Sequence, residues 1–294
     1  MNIIEVYNKF PTQKDCLNHL ESVRWKGQPT CPYCNSINYT PMPKENRHHC
    51  NNCNTSFSVT VGTIFHKTKL DCQKWFLAIS LILNAKKGIS ARQLARDIDV
   101  NRNTAWYMGM RIRKAMTQIT DQSFLKGIVE MDEVYIGGKP RKGSNDGNGQ
   151  PNKRGRGTKK TPVVGMIERG GKVKAKVSRK EELTANKLSS LVRRNIDISN
   201  AILMTDEYKG YLRMSSFIEH KAINHQEWYV DGETHTNNIE SFWAILKRGI
   251  IGQYRKVNLH HLPKYIDEFC FRFNNRKNDD IFNITISKSL EVRA

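Results

Sequence analysis

The sequence predicts a multidomain α+β protein, and three observations along its 294 residues support this fold class. Two matched cysteine pairs near the N-terminus predict a small segment that a metal ion holds together. Apolar residues at spacings of three and four then predict a helical region. After about Phe124, strands alternate with helices, which predicts a mixed sheet with helices on its faces. The expected parts are an N-terminal helical segment at 1–27, the metal-bound segment at 28–60, the helical domain at 61–122 and the mixed-sheet domain at 123–294.

Charge is the strongest bulk property of the chain. A formal net charge of +20 and an isoelectric point of about 9.7 favour a polyanionic partner such as nucleic acid. The hydrophobic content of 38% still allows a sizeable core. The sequence has no run of about 18 apolar residues, so no transmembrane helix is expected. It also lacks a basic start followed by an apolar stretch, so no signal peptide is expected.

The cysteines are arranged for metal binding rather than for disulfides. Their number is seven, which is odd, and four of them form one tight pattern. Cys31 and Cys34 are followed by Cys50 and Cys53. A two-residue gap lets both thiolates of one turn reach a single ion, and two such turns complete a tetrahedral site. The pattern predicts a structural Zn²⁺ in a zinc ribbon and a cytoplasmic protein. Redox-active pairs are the alternative, but such motifs do not come in two matched copies.

Helical periodicity follows the ribbon. Trp75, Ile79 and Ile82 recur at spacings of four and three, which predicts a helix. Ser90 is placed to cap a second helix, and a short break at 99–101 leads into a third. Two short helices with a tight turn before a polar-faced helix predict a helix-turn-helix domain. An ordinary helical bundle is the alternative.

The third helix carries the expected DNA contacts. Side chains at the start of a recognition helix meet base edges, whereas basic residues further along meet phosphates. The candidates are Arg102, Asn103 and Thr104 for bases, and Arg111, Arg113 and Lys114 for phosphates.

The C-terminal region alternates strands with helices. Its apolar runs predict strands at 128–136, 162–168, 172–177 and 201–205, and helices at 183–195, 237–250 and 265–276. The second and third strands are close enough in sequence to form a hairpin through Gly170 and Gly171.

Three carboxylates stand out in this region. Asp132 lies in the first strand, Asp206 closes the short strand, and Glu240 lies in the helix that follows. In a basic chain, such carboxylates can hold a divalent metal ion against a phosphate backbone. Along the first strand Glu130 and Asp132 share one face and Glu133 lies on the other, and alternation alone does not choose among these three acids.

Helix geometry places Glu240. Lys247 is seven residues further, almost two full turns, so both side chains lie on one edge of the helix. That edge borders the apolar stripe, so Glu240 should face a partly dry cleft where Lys247 can grip a phosphate. A lone Asp after a strand is often a turn cap, and a lone helical Glu is often solvated. The basic charge and the two expected DNA-binding modules favour the metal interpretation.

Several segments match one known family. They are VEMDEVYIGGK at 129–139, TDEY at 205–208, HTNNIESFW at 235–243, KRG at 247–249 and EFCFRFN at 268–274. Near the N-terminus, Phe10-Pro11 and Arg24-Trp25-Lys26-Gly27 precede the first cysteine pair in the same way. Together these segments resemble bacterial insertion-sequence transposases of the DDE class, in the zinc-ribbon branch (ISXO type) that is similar to the eukaryotic Merlin transposases.

The resemblance implies a ribonuclease-H-like fold for the catalytic domain and strand cleavage followed by strand transfer. It implies Mg²⁺ (or Mn²⁺) on Asp132, Asp206 and a third residue, and it selects Asp132 over the neighbouring acids. Some relatives have Asn at the third position, so Asn237 and Glu240 both stay candidates. Glu240 is favoured because a hard cation prefers a charged carboxylate. The expected partners are double-stranded DNA of the transposon ends and target, and further copies of the chain assembled on it.

A basic insertion interrupts the catalytic region between Gly138 and Lys160. It has eight Lys or Arg residues against one Asp, and many Gly and Asn. Such a stretch cannot bury itself, so it is either disordered or an arm that orders on DNA, and we favour the arm. His225 and His235 lie near the third acid and are candidates for DNA contact or for a structural role.

Two other functions use the same features. A DNA-binding regulator descended from a transposase would keep the ribbon and the helix-turn-helix without cutting DNA. A metal-dependent nuclease would cut without strand transfer. The intact acids and Lys247 argue against the regulator, whereas the nuclease uses the same site.

Overall fold

The computed structural model describes residues 1–117, 123–137, 158, 160–223 and 235–293. These residues belong to two compact units, one of Met1–Thr117 with Lys277–Ala294 and one of Gln118–Arg276. None of the described helices combines the length and the apolar character that crossing a membrane requires.

The described secondary structure alternates between helical and β segments. The helices are α1 (Ile3–Lys9), α2 (Gln13–Trp25), α3 (Cys72–Asn84), α4 (Ala91–Asp97), α5 (Arg102–Ala115), α6 (Ala185–Asn195), α7 (Asn237–Arg248), α8 (Leu262–Asn274) and α9 (Ile281–Glu291). The strands are β1 (Tyr39–Met42), β2 (Arg47–Cys50), β3 (Thr55–Phe57), β4 (Leu125–Ile136), β5 (Thr161–Glu168), β6 (Val173–Val177), β7 (Ile196–Asp206) and β8 (Glu219–Ile223).

The cysteine segment of the first unit is a three-stranded antiparallel sheet in the order β1-β2-β3. Aromatic rings form its small core: Trp25 lies 5.4 Å from His48 and 5.8 Å from Phe57, between ring centroids. Because Trp25 belongs to α2, the ribbon borrows part of its core from the preceding helix.

The helices α3, α4 and α5 form where the periodicity predicted them. Ser90 caps α4, since its side chain accepts a hydrogen bond from the backbone N–H of Gln93. Asn101 caps α5 in the same manner through Asn103. Asp99 between the two helices has φ +49°, the left-handed conformation of a tight turn. Two capped helices with a tight turn are compatible with a helix-turn-helix, and that assignment remains a prediction.

The end of the chain differs from the expected boundary at 123–294. The segment Lys277–Ala294 belongs to the first unit, because α9 packs there. The ring of Phe282 is fully buried and lies 5.7 Å from Phe76, between centroids, and the backbone N–H of Ile64 donates to the carbonyl of Ser289. Sequence pattern cannot reveal this, since a buried helical stripe does not say which core buries it.

The second unit contains a five-stranded mixed sheet in the order β6-β5-β4-β7-β8. Neighbours β4, β5 and β6 are antiparallel, whereas β7 runs parallel to both β4 and β8. The predicted hairpin is confirmed between β5 and β6, with Gly170 at φ +74° in its turn. The predicted mixed sheet is therefore confirmed.

Helices cover both faces of this sheet. On one face, Leu188 and Val192 of α6 pack into a core with Val129 and Met131 of β4. On the other face lies α7, whose apolar stripe is buried as the spacing predicts; its buried residues are Ile239, Phe242, Trp243 and Leu246. Since side chains alternate along a strand, β4 sends odd-numbered residues towards α6 and even-numbered residues towards α7.

Candidate active site

The alternation of side chains along β4 places its three acids on different faces of the sheet. Glu130 and Asp132 point to the α7 face, where both contact residues of that helix. Glu133 points to the α6 face, where the buried hydroxyl of Tyr211 donates a 2.8 Å hydrogen bond to it. The three acids that the sequence left equivalent thus have three different environments.

Asp132 is held by the indole of Trp243. The Nε1 of Trp243 donates to Oδ2 of Asp132 at 3.1 Å. Gly165 is the ladder partner of Asp132 on β5, and a Cβ there would come within 2.5 Å of the Trp243 ring. Glycine therefore leaves the space in which the indole lies over the sheet and reaches Asp132.

Glu130 caps α7 from the sheet. Its side chain is 0% exposed. Its Oε2 accepts from the backbone N–H of Asn238 at 2.8 Å and of Ile239 at 3.0 Å, and its Oε1 accepts from Nδ2 of Asn238 at 2.7 Å. The first N–H groups of a helix have no acceptor within the helix, and Glu130 supplies one from β4.

Arg169 completes this cap. Its Nε donates to Oε1 of Glu130 at 2.8 Å, and its Nη2 donates to the carbonyl of His235 at 3.0 Å. The ring Nδ1 of His235 also lies 3.4 Å from Glu130. These contacts of His235 are within the protein, which favours the structural alternative for this residue.

Asp206 ends β7, as the sequence predicts. The last pair of residues in the parallel ladder between β4 and β7 is Glu130 and Met204. Asp132 and Asp206 each lie two residues further along their strand, so their side chains lie side by side on the same face of the sheet. One oxygen of Asp206 accepts from the backbone N–H of Tyr208 at 3.2 Å, which orders the turn after the strand.

A cavity of ≈ 390 Å³ lies between the end of β4 and α7. We call it the acid cavity, and its lining includes Asp132, Glu133, Glu240 and Lys247. Trp243 and Ala244 line it between the last two, so one edge of α7 faces the cavity. The shared edge predicted for Glu240 and Lys247 is confirmed. Neither Asp206 nor Asn237 belongs to this lining.

The start of α7 is arranged around Glu240. Thr236 stands at the N-cap position but makes no capping hydrogen bond to the backbone. Its buried Oγ1 donates instead to Oε1 of Glu240 at 3.1 Å. The backbone N–H of Asn237 points to the His235 ring, 3.4 Å away.

Negative charge is concentrated around Asp132. Burial raises the pKa of Asp132 from 3.8 to about 7, and the carboxylates of Glu133, Asp206 and Glu240 add to this effect. A divalent cation would relieve the repulsion, and carboxylate oxygens are the ligands that Mg²⁺ and Mn²⁺ prefer. The donor set therefore fits such an ion.

The acids do not form one tight cage. Within the described part of the chain, the cysteine quartet is the only group of three or more potential ligands whose donor atoms all lie within 4.8 Å of one another. Asp132, Asp206 and Glu240 are more widely spread. Mg²⁺ usually keeps several waters and takes few protein ligands, so a spread set of carboxylates is compatible with it.

The cysteine quartet is a compact set of four sulfurs. Sγ of Cys31 lies 3.7 Å from that of Cys53, and Sγ of Cys34 lies 3.5 Å from that of Cys50. Tetrahedral zinc with Zn–S bonds of about 2.3 Å places its sulfurs about 3.8 Å apart, so the quartet fits zinc. Backbone hydrogen bonds, chiefly from Cys53, lower the pKa of Cys50, whereas burial and hydrogen bonds with the neighbouring thiols raise the pKa of Cys34.

The start of α5 is open to solvent. Arg102 and Asn103 are exposed and Thr104 is half-buried, as base-reading side chains require. Trp106 and Tyr107, which the sequence analysis did not consider, are 41% and 50% exposed on the same helix. Two adjacent aromatic residues close behind the polar start of the helix were the available sequence signal for them.

The second half of α5 carries the three cations expected to contact phosphates. Arg111 donates to the carbonyls of Ile64 and His66, and Arg113 is only 4% exposed. Lys114 donates to the carbonyl of Arg293. Arg111 and Lys114 thus make hydrogen bonds within the first unit, and the expected phosphate contacts stay a prediction. Periodicity marked this side of α5 as polar but could not show what covers it.

Two predicted features lie outside the described residues. They are His225 and the basic insertion, of which the structure describes only Thr158 and Lys160.

Solved structures of the Mos1 transposase are similar to much of the chain. The Mos1 strand transfer complex is 16% identical, covers 74% of this chain and 75% of its own, and has a TM-score of 0.31. The Mos1 mariner paired end complex with Mn is 16% identical, covers 77% of this chain and 86% of its own, and has a TM-score of 0.32. TM-scores of this size do not define a shared fold.

Sequence comparisons are more specific. An uncharacterized protein in transposable element ISH50 of Halobacterium salinarum is 27% identical over 278 residues, which is 90% of this chain and 91% of that protein. A transposase zinc-ribbon domain matches residues 11–56, and an ISXO2-like transposase domain matches residues 124–274. Since the second match covers more than half of the 294 residues, the chain belongs to the family of ISXO2-like transposases.

Proposed function

We propose that the protein is a DDE-type transposase that binds the terminal inverted repeats of its insertion sequence and catalyses metal-dependent strand cleavage and strand transfer. The observation that carries this proposal is the acid cavity, where Asp132, Glu240 and Lys247 face one space in a member of a transposase family. The net charge of +20 attracts the DNA backbone to a site whose own charge is negative.

The metal would be held by Asp132, Asp206 and Glu240. A bound Mg²⁺ or Mn²⁺ supplies Lewis-acid stabilisation of charge on the phosphate oxygens and lowers the pKa of bound water. The remaining roles fall to the chain itself. Lys247 lines the same cavity and can bind a phosphate oxygen, and Trp243 keeps Asp132 turned towards the cavity.

Glu240 is our choice for the third ligand. It lines the acid cavity together with Asp132, and its carboxylate is one of the charges that raise the pKa of Asp132. A full negative charge also suits a hard cation better than a neutral amide. Asn237 is the alternative, because some relatives have Asn at the third position.

Strand cleavage in Mg²⁺ tests both the function and the ligand choice. Asp132→Asn, Asp206→Asn and Glu240→Gln should each lower the cleavage rate by about 100-fold or more, because each loses charge that stabilises the transition state. Asn237→Ala should retain most activity. The measurement uses a duplex carrying the terminal inverted repeat and a target duplex, with DNA binding checked for each variant.

Each proposal has its own contrary outcome in this assay. If Glu240→Gln cuts normally while Asn237→Ala is inactive, the third ligand is Asn237. A wild-type protein that binds the repeat but never cuts it is a regulator. One that cuts but never joins the freed end to target DNA is a nuclease.

We also propose that Cys31, Cys34, Cys50 and Cys53 bind one structural Zn²⁺. Four thiolates leave no open coordination position for catalysis, and the small sheet has a core of only a few aromatic rings. The purified protein should therefore contain about one zinc per chain, and Cys50→Ser should lose it together with the order of β1 to β3. Elemental analysis and hydrogen exchange measure the two effects.

Cys270→Ala is the matched control, since Cys270 is a buried cysteine of the other unit. It should keep its zinc. Wild-type protein without zinc would contradict the proposal.

DNA recognition is proposed for the exposed start of α5. Arg102→Ala should change which base pair is preferred at one position, at a cost of about 1–3 kcal/mol there. Neutralising the Lys and Arg residues of 139–160 should instead weaken binding to all sequences and flatten its salt dependence. Binding isotherms on specific and random duplexes at several salt concentrations distinguish the two effects, and equal effects of both changes would refute the division.

Arg111→Ala is the useful contrast in this series. Its guanidinium holds the carbonyls of Ile64 and His66, so the substitution should lower the thermal stability of the first unit. A change of base preference by Arg111→Ala without loss of stability would contradict its internal role.

The acid cavity should make stability depend on pH when no Mg²⁺ is present. Because the pKa of Asp132 is raised from 3.8 to about 7, ionising it in the folded protein costs free energy that the unfolded chain does not lose. This cost grows as pH rises from about 4 to 7 and is constant above. Asp132→Asn removes the cost, so its gain in thermal midpoint over wild type should be larger at pH 8 than at pH 5.

Calorimetry in buffer without Mg²⁺ but with zinc retained measures this gain. Adding Mg²⁺ should stabilise the wild type and reduce the difference at pH 8. Glu219→Gln, an exposed acid of the same unit, is the control and should show no such trend. An Asp132→Asn gain that is independent of pH would contradict the crowded-charge interpretation.

A further inference from the structure

We propose that Glu130 and Arg169 form a clamp that sets the position of α7 and thereby places Glu240 at the acid cavity. This inference rests on the proposed function, in which Glu240 is the third metal ligand. Glu130 is thus a positioning residue, two residues before Asp132 on the same strand and the same face.

The contacts of Glu130 are all with groups that fix the beginning of α7. Both carboxylate oxygens are engaged, by the backbone N–H groups of Asn238 and Ile239, the side-chain amide of Asn238 and the guanidinium of Arg169. The side chain is fully buried, so a metal ion in the cavity would have to displace these donors to reach it. A direct ligand role is therefore disfavoured.

Arg169 holds the other side of the same turn. Its backbone N–H donates to the carbonyl of Ile128 on β4, and its side chain donates to the carbonyl of His235. Arg169 therefore binds the His235 carbonyl just before α7, and Glu130 binds the N–H groups of Asn238 and Ile239 just inside the helix. Rotation or sliding of the helix would break hydrogen bonds on both sides.

The N-terminus of α7 has no side-chain cap from its own N-cap residue, so the clamp supplies hydrogen bonds that the helix itself does not. Thr236 occupies the N-cap position, yet its hydroxyl donates to Glu240 and accepts no capping hydrogen bond from the backbone of its own helix. The cap comes instead from β4, the strand that carries Asp132. Anchoring α7 to β4 therefore fixes the position of Glu240 relative to Asp132.

The distances along the chain from the clamp to Asp132 and to Glu240 are short. Asp132 lies two residues from Glu130, about 6.6 Å along a strand. Glu240 lies two residues from Asn238, about 3 Å along the helix axis. A small shift at the clamp therefore reaches the cavity almost undiminished. The contact of Trp243 with Asp132 sits one turn further along the same helix and would shift with it.

Metal affinity separates positioning from mere stabilisation. Free Mn²⁺ is followed by electron paramagnetic resonance, and the acid site is taken as the binding that Asp132→Asn abolishes. Glu130→Gln keeps the shape but presents an amide to N–H donors, so it should weaken Mn²⁺ binding about 10-fold to 100-fold, as for other residues that orient metal ligands. The Mg²⁺ concentration for half-maximal strand cleavage should rise in parallel.

Glu268→Gln is the matched control. Glu268 is another fully buried carboxylate of the same unit, paired with Arg272 at 3.1 Å on α8 and bonded by Tyr254. Its loss should lower the thermal midpoint without changing Mn²⁺ affinity per folded molecule. An unchanged affinity in Glu130→Gln, or an equal loss in Glu268→Gln, would overturn the clamp.

A milder variant covers the case in which Glu130→Gln does not fold. Arg169→Lys keeps a cation beside Glu130 but cannot contact Glu130 and the His235 carbonyl with a planar fork. It should also weaken Mn²⁺ binding, and a wild-type affinity would overturn the clamp.

The same data judge the proposed function separately. Wild-type protein that binds Mn²⁺ through Asp132 but never cuts DNA refutes the transposase proposal and leaves the clamp to be decided by affinity. Wild-type protein with no Asp132-dependent Mn²⁺ binding refutes the clamp as well.

Discussion

The structure of the second unit depends on the contact between the buried carboxylate of Glu130 and the N-terminus of α7. Removing Glu130 from water would cost several kcal/mol if it were alone, and that cost is offset only while every donor stays in place. Arg169 neutralises its charge, and the start of α7 adds the partial positive charge of unsatisfied N–H groups. A buried pair of this kind is sensitive to geometry, because losing one partner leaves the other charge unsatisfied. The contact therefore defines where α7 begins.

Strand parity carries that constraint to the acid cavity. Because Glu130 and Asp132 are two residues apart, the residue that anchors α7 and the residue that faces the cavity must share a side of the sheet. The odd-numbered residues of β4 then pack in the core beneath α6. On that side Glu133 accepts a hydrogen bond from the hydroxyl of Tyr211. The close approach of α7 to the sheet in turn needs a residue without Cβ, and Gly165 is that residue.

Local pattern was enough for features that depend on spacing within one element. The cysteine quartet follows from two matched gaps, and the common edge of Glu240 and Lys247 follows from seven residues of helix. Pattern failed where the partner lies far away in sequence. Glu130 and Asp132 share parity and neighbours, and what separates them is a set of N–H donors more than a hundred residues later. Arg111 and Arg113 looked like a polar helix face for the same reason, since the carbonyls that Arg111 binds belong to another segment.

The opposition between local and global charge explains why the site has this form. A net charge of +20 attracts a phosphate backbone without any particular residue, so under the proposed function the bulk of the protein would supply affinity for DNA. Gathering carboxylates at one point within that field works against attraction of a polyanion. Burial, with the charges of the neighbouring carboxylates adding to it, raises the pKa of Asp132 to about 7. Hydrogen bonds from Trp243 and Thr236 nevertheless hold two of these acids in place. Under the proposed function, a cation shared with the phosphate would relieve this repulsion. The same crowding that destabilises the metal-free protein would then favour binding of metal and DNA together.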